Sequence, residues 1–342
     1  MARVLAAAII ALVISVLLGP RFIAFLRRNE FGQHIREEGP ERHVEKQGTP
    51  TMGGLLIVLA ATVGYLALTR WTVAGLTVFG LTIGCAAIGF LDDFTKLTHR
   101  RSLGLAGRWK LALLAGVTFG VGVVVEHYHF GTTVVIPPHV DINLSWAWYV
   151  LAFVIIAGAT NGVNLTDGID GLAAGTGLIA LITFAAMNIL IYIRSGQRPG
   201  LFGGLDVSAL DQAILAGALI GACIGFLWFN AFPAEVFMGD TGSMAMGGAI
   251  GAMTIFLQVD LLLLLVGGIF VIEALSVMLQ VLSFKYWGRR IFLMAPLQHH
   301  FEMKAWSETK IMVRFWIVAS IFCAAGFALF YKYYREFYPL TH

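Results

Sequence analysis

The sequence predicts an all-α polytopic integral membrane protein with ten transmembrane helices, both termini outside the cytoplasm and the long polar loops inside it. Three observations predict this. Of 342 residues, 58% are hydrophobic and only 13% are Asp, Glu, Lys or Arg, about half the charged share of a soluble domain. Mean hydropathy is +0.81, more apolar surface than one soluble core can hide. Apolar runs recur along the whole chain, and Lys and Arg fall unequally between the loops that join them. A single membrane domain over 1–342 is expected.

The first run, 4–26, continues through Gly19-Pro20-Arg21 into "FIAFL" with no A-x-A site after it. It reads as a retained helix, not a cleaved signal peptide. Runs 52–69 and 71–91 are separated only by Arg70-Trp71. One helix of 40 residues would be about 60 Å long against a hydrocarbon core of about 30 Å, so two crossings are expected. The same argument divides 241–257 from 261–284 at Gln258-Val259-Asp260. Between these pairs lie 109–125, 146–160, 172–193 and 213–229, and 311–331 is the last. Residues 126–145, with "IPP", read as a surface loop, and 194–212, "RSGQRPGLFGGLDVSALDQ", as a turn-rich one. Cys85, Cys223 and Cys323 all sit in apolar runs, an odd count that gives no disulfide framework, and read as packing residues.

Charge orients the bundle. Loops after odd-numbered helices carry Arg21, Arg27, Arg28, Arg36, Arg42, Lys46, Lys96, Arg100, Arg101, Arg108, Lys110, Lys285, Arg289, Arg290, Lys304, Lys310 and Arg314, which is 17 of the 23 basic residues. The positive-inside bias puts those loops in the cytoplasm. The same side collects Asp92, Asp93, Asp167, Asp170, Glu235 and Asp240, and topology does not ask for acids. Carboxylates at the membrane edge are costly and face a partner or a water-filled cavity.

A lone Asp167, Asp170 or Asp240 also reads as a helix N-cap. Asp92 and Asp93 do not, because they end an apolar helix, where the dipole disfavours negative charge. In "NGVNLTDGIDGL", Asn164, Asp167 and Asp170 are spaced by three and would share one face if the stretch were helical. The donor set is hard oxygen, which suits Mg²⁺ or Mn²⁺ held by one or two carboxylates plus substrate phosphates. A zinc site on His299 and His300 is the weaker alternative. Lys46, Arg108 and Lys110, on the same side, suit phosphate groups. No G-x-x-x-x-G-K-[ST] is present, so a P-loop ATPase is not supported, and no basic-aromatic pattern points to nucleic acid.

"GTPTMGG" (48–54), "FLDDFTK" (90–96), "NGVNLTDGIDGLA" (161–173), "EVFMGDTGS" (235–243) and "APLQHHFE" (295–302) occur in order along the chain. Together they resemble the phospho-N-acetylmuramoyl-pentapeptide transferase family, within the wider group of polyprenyl-phosphate N-acetylhexosamine-1-phosphate transferases. The resemblance implies a multi-pass enzyme of the bacterial cytoplasmic (inner) membrane, active site facing the cytoplasm and commonly a homodimer. The implied reaction joins UDP-MurNAc-pentapeptide and undecaprenyl phosphate with Mg²⁺, releasing UMP.

It implies Asp92, Asp93 and Asp240 as catalytic residues, with Asp240 the metal ligand. It places Lys46, Lys110, Asn164, Asp167, Asp170, Phe237, His299 and His300 at the substrates. Within that set we assign Asp92 to the lipid phosphate, and Asp93, Asn164 and Asp167 to the metal and diphosphate. Asp170 goes to the nucleotide end, and the histidines to the sugar-peptide side. The chain has Gln298 where the family often has the first of three consecutive histidines. Two rivals stand beside this reading: a relative using UDP-GlcNAc, and a secondary transporter, which also has many helices and intramembrane acids. Glu273, inside an apolar run, reads either as functional or as packed against another helix.

Overall fold

The computed structural model describes residues 1–29, 48–99, 104–130, 132–136, 140–197 and 206–337. Its helices are α1 (Ala2–Arg28), α2 (Gly54–Leu66), α3 (Val73–Thr98), α4 (Gly107–His127), α5 (Ala147–Thr166), α6 (Leu172–Gln197) and α7 (Val207–Asn230). After them come α8 (Gly239–Phe256), α9 (Leu263–Val266), α10 (Gly268–Trp287), α11 (Leu297–Glu302) and α12 (Glu308–Phe337). Among the described residues, α1, α3, α4, α5, α6, α7, α10 and α12 are long and apolar enough to cross a membrane, so this is a multi-pass membrane protein.

The other two expected crossings are helices of a different kind. α2 has 13 residues, shortened because Met52 takes a positive φ of 72° ahead of it and a polar turn at Thr69–Trp71 follows it. α8 has 18 residues, and Thr241 through Ile255 are all buried. It packs on α2, α3, α5 and α6, as a post inside the bundle, and its glycines, alanines and methionines suit close helix contact.

α1 shows how the outer helices divide their faces. Val4, Ala7, Ala11, Ser15 and Gly19 are buried toward α7, while Leu5, Ile9, Val13 and Leu17 stand exposed at four-residue spacing. An apolar stripe left outside a bundle is what lipid covers.

Three local expectations are corrected. The run at 261–284 is broken: a 3₁₀ turn at Asp260–Leu262 and the short α9 precede Gly267, and only then does α10 begin. The loop expected at 126–145 contains an antiparallel hairpin pairing Thr133–Ile136 with Val140–Asn143. The stretch 161–166 is not a loop but the last turn and a half of α5, which ends at Thr166. Asn164 is therefore helical while Asp167 and Asp170 lie beyond the helix end, so the three do not share one helix face.

At the end of α3 where Thr72 starts it, the buried Asp211 of α7 accepts four short bonds, besides a longer one from the Tyr65 hydroxyl at 3.4 Å. The short ones come from the Thr69 and Thr72 hydroxyls (both 2.8 Å) and the Arg70 (2.8 Å) and Thr72 (2.9 Å) amides. The carboxylate pins the α2–α3 turn and the start of α3 onto α7, which fixes the direction in which α3 carries Asp92 and Asp93 to its other end.

Gly89 sets the depth at which they arrive. A Cβ on Gly89 would lie 2.2 Å from the Asp240 carbonyl oxygen, so the α3 and α8 backbones touch there. Gly89→Ala is expected to lower stability by about 2–3 kcal/mol through overpacking, read as a lower thermal midpoint in detergent. An unchanged midpoint would show that the two helices part without cost.

Candidate active site

α8 begins where three other segments end, and its first amides are what those segments reach. Asp93, the residue expected to suffer at the C-terminus of α3, meets the positive N-terminus of α8 instead. Its Oδ1 accepts the Asp240 amide at 3.1 Å, and its Oδ2 accepts the Thr241 amide at 2.9 Å and the Thr241 hydroxyl at 2.8 Å. Asp167, just past α5, accepts the Gly239 amide at 3.1 Å. Gly239 takes φ +75° with the Asp93 carboxylate close against it, a backbone setting that favours glycine. Asn164 donates to Ser243 Oγ at 3.0 Å, tying α5 to the next turn of α8.

Asp93 and Asp167 are thus the caps of α8. Asp240, which also reads as a cap in the sequence, makes no cap bond to its own helix and points elsewhere. Its Oδ1 lies 2.9 Å from Lys96 Nζ and its Oδ2 2.6 Å from Lys110 Nζ. The same two ammonium groups reach Asp92, Lys96 at 2.7 Å and Lys110 at 3.5 Å. Asp92 Oδ1 also accepts the Leu105 amide at 2.8 Å, so the stretch before α4 folds back over it. Asp92 and Asp93 are nearly inaccessible, at 3% and 2% side-chain exposure, whereas Asp240 keeps 13% and Lys96 32%. The open side of the cluster is therefore the side of Asp240 and Lys96.

One carboxylate oxygen from each of Asp92, Asp93 and Asp240 lies within 4.8 Å of the others, so the cluster is able to hold a metal ion. Both Asp93 oxygens are held by fixed amides of α8, whereas Asp240 and Asp92 Oδ2 meet the ammonium groups of Lys96 and Lys110, which a cation displaces, so Asp240 and Asp92 are the better donors. A hard cation held by two carboxylates and completed by phosphate oxygens fits that set. Burial, then the charges of Asp240 and Asp93, push the Asp167 carboxyl well above its ordinary range.

Around this centre stand the other expected residues. Asp170 accepts the Ala234 amide at 3.0 Å and so joins the α5–α6 turn to the segment before α8. The half-buried Phe237 is held by its backbone, its amide donating to Pro50 O and its carbonyl accepting from Gly53, both at 2.8 Å. His299 lies against Gly168, where an added Cβ would meet its Nε2 at 2.9 Å, and its Nδ1 pairs with Glu302. His300 turns away: its Nδ1 accepts the Leu293 amide at 3.1 Å, which places the proton of the neutral ring on Nε2. Its pKa is lowered by burial and by Lys304, in keeping with a neutral ring. The His300 ring meets Phe292 and Phe301 edge-to-face, Phe301 stacks on Trp306, and Arg314 lies 4.3 Å from the Trp306 ring. Lys46 lies outside the described residues.

Comparison with known proteins decides what this arrangement belongs to. The model of glycosyl transferase family 4 matches residues 75–258, and phospho-N-acetylmuramoyl-pentapeptide-transferase signature 1 matches 46–58. A phospho-N-acetylmuramoyl-pentapeptide-transferase of Rubrobacter xylanophilus is 45% identical over 339 residues, covering 97% of this chain and 98% of the relative. Namesakes in Thermobifida fusca and Bacillus velezensis are 43% and 44% identical, over 97% and 93% of this chain and 98% and 95% of their own. The chain belongs to the phospho-N-acetylmuramoyl-pentapeptide-transferase family.

Family membership gives the cluster its context, and the geometry adds residues that sequence reasoning left out. Lys96 is one. It follows Asp92 by four residues and Asp93 by three, a spacing that puts all three on one helix face, yet it reads first as a positive-inside anchor. Thr241 and Ser243 receive the α3 and α5 ends through contacts that no local pattern announces. Gln298, set aside as a departure from the family's histidine row, is fully buried and donates to Leu165 O at 2.8 Å.

Proposed function

We propose that this chain transfers phospho-MurNAc-pentapeptide from UDP-MurNAc-pentapeptide to undecaprenyl phosphate, giving undecaprenyl-diphospho-MurNAc-pentapeptide and UMP. It acts as a homodimer in the bacterial cytoplasmic membrane, with α2 and α8 completing ten crossings, both termini outside and the cluster facing the cytoplasm. The observation that carries the reading is the pairing of Asp92 and Asp240 with Lys96 and Lys110 at the meeting of α3, α4 and α8. A diphosphate needs cations on its oxygens, and the lysines supply two. Asp240 and Asp92 are the residues that would hold Mg²⁺, which neutralises charge on the diphosphate when bound.

A non-bridging oxygen of the lipid phosphate attacks the β-phosphorus, and the bond to the bridging oxygen on the uridine side breaks. UMP leaves with the α-phosphate. A phosphate monoester has a second pKa of about 6, so the nucleophile needs no strong base at neutral pH. Direct attack is favoured over an aspartyl-phosphate intermediate because Asp93 has both oxygens engaged by α8 and Asp92 carries an amide and two ammonium groups. Lys110 and Lys96 draw charge from the diphosphate, and Asn164 and Asp167 hold the start of α8 beside it. Asp170 stands toward the nucleotide end, and the histidine segment of His299 and His300 forms the side toward the sugar and peptide.

The test incubates detergent-purified protein and undecaprenyl phosphate with Mg²⁺ and either UDP-MurNAc-pentapeptide or UDP-GlcNAc, and measures UMP and lipid product. Product from UDP-MurNAc-pentapeptide alone is expected. Product only from UDP-GlcNAc would assign the chain the chemistry of the wider group, and no UMP from either would defeat the transferase reading.

A further inference from the structure

Glu273 belongs to α10 and, among the described residues, makes no hydrogen bond or ion pair with the acidic cluster, yet it is a fully buried carboxylate in an apolar helix. Its Oε2 accepts the Leu297 amide at 2.6 Å, so α10 grips the start of α11. The next residue, Gln298, also fully buried, sends Nε2 to Leu165 O at 2.8 Å in the last turn of α5. α11 is therefore fastened on two sides by consecutive residues. Between the fastenings lies Gly168, where an added Cβ would sit 2.8 Å from Gln298 Nε2 and 2.9 Å from His299 Nε2. The histidine segment rests directly on the turn that carries Asp167 and Asp170. Among the described residues, Glu273 Oε1 and Gln298 Oε1 have no hydrogen-bond partner.

We infer that Glu273 and Gln298 are positioning residues for the donor substrate: together they seat α11 on the 165–170 turn and so fix His299 and His300 relative to Asp167 and Asp170. The inference rests on the reaction proposed above. It separates two halves of the site. The cluster of Asp92, Asp240, Lys96 and Lys110 is held by α3, α4 and α8, with no bond to α11 among those described. Loosening α11 therefore disturbs binding of the sugar-peptide portion and leaves the phosphate chemistry assembled. The charge of Glu273 is not what matters, only an acceptor for the Leu297 amide. A glutamine there keeps that acceptor and replaces the orphan oxygen with a donor.

The test compares wild type, E273A, E273Q, Q298A and E273A/Q298A in detergent. Both alanine variants are expected to raise KM for UDP-MurNAc-pentapeptide about tenfold, equivalent to about 1.4 kcal/mol of binding. Their kcat and their KM for undecaprenyl phosphate stay within about twofold of wild type. The double variant is no worse than the worse single one, because both break the same docking, and E273Q behaves as wild type.

Amide hydrogen exchange over 297–302 speeds up in E273A and Q298A, a readout that needs no turnover. Should E273A fail to fold, Q298A and E273Q carry the comparison. A raised lipid KM, a lowered kcat at constant KM, additive single effects, or an E273Q as impaired as E273A would overturn the inference. Inactive wild type with faster exchange in the variants would defeat the reaction while keeping the docking; active wild type with unchanged exchange would do the reverse.

Discussion

Asp240→Asn is expected to lower turnover by about a thousandfold, the scale of removing one preorganised electrostatic group from a reaction centre, while the protein keeps its fold. The substitution is nearly isosteric and does not touch the start of α8, whose amides are capped by Asp93 and Asp167. What it removes is charge. Lys96 and Lys110 converge on the two Asp240 oxygens at 2.9 and 2.6 Å, and Asp240 is the more exposed of the two carboxylates left free to meet a cation. An amide in that place cannot hold both ammonium groups, and it is a poor ligand for a hard cation. The thermal midpoint should fall by only a few degrees, because Lys96 and Lys110 keep Asp92 as a partner at 2.7 and 3.5 Å. Transfer by purified D240N at close to the wild-type rate in millimolar Mg²⁺ would reduce Asp240 to a structural residue.

The expected result depends on knowing which aspartate caps α8, and that knowledge did not lie in the sequence. Hydropathy located the eight long apolar helices and the segments of α2 and α8, because burying or lipidating apolar side chains is a property of the segment itself, but not the short α9 and α11. Where helices break is a different matter. Gly267 interrupts the run 261–284, which looks continuous in hydropathy, and the positive φ of Met52 holds the start of α2 back to Gly54, because backbone conformation there is set by what packs around it. The acidic residues were legible as a group, since no local rule excuses so many at one end. Their division of labour was not. Asp93 looks penalised at the end of α3 and is in fact stabilised by α8, a helix end 147 residues distant in the chain that only tertiary packing brings near. Lys96 was within reach of the i, i+3 and i, i+4 rule and was obscured by its second plausible use as a topological anchor. Gln298 could be noticed only as a departure, because a buried amide bonded to the Leu165 carbonyl leaves no trace in local pattern.

Lys96→Met is expected to make the protein's stability depend on a divalent cation more than it does in wild type. Lys96 Nζ stands 2.7 Å from Asp92, 2.9 Å from Asp240 and 3.7 Å from Asp93, so one ammonium balances three carboxylates. Methionine keeps the apolar stem and removes the charge, leaving Lys110 alone against the cluster. Breaking a fully buried pair costs about 3–5 kcal/mol. Lys96 is a third exposed, and solvent screening brings the expected loss in EDTA down to about 1–2 kcal/mol. A cation and the ammonium group want the same oxygens, so removing the ammonium frees them. Mg²⁺ should therefore raise the midpoint of K96M more than that of wild type, following the logarithmic dependence of stability on ligand concentration over its dissociation constant. The activity of K96M, by contrast, should fall about a hundredfold even at saturating Mg²⁺, because a charge facing the transferring phosphate is gone. Thermal unfolding of both proteins across a Mg²⁺ titration, begun in EDTA, makes the measurement. Parallel curves for K96M and wild type would mean that Lys96 and the metal do not share a site.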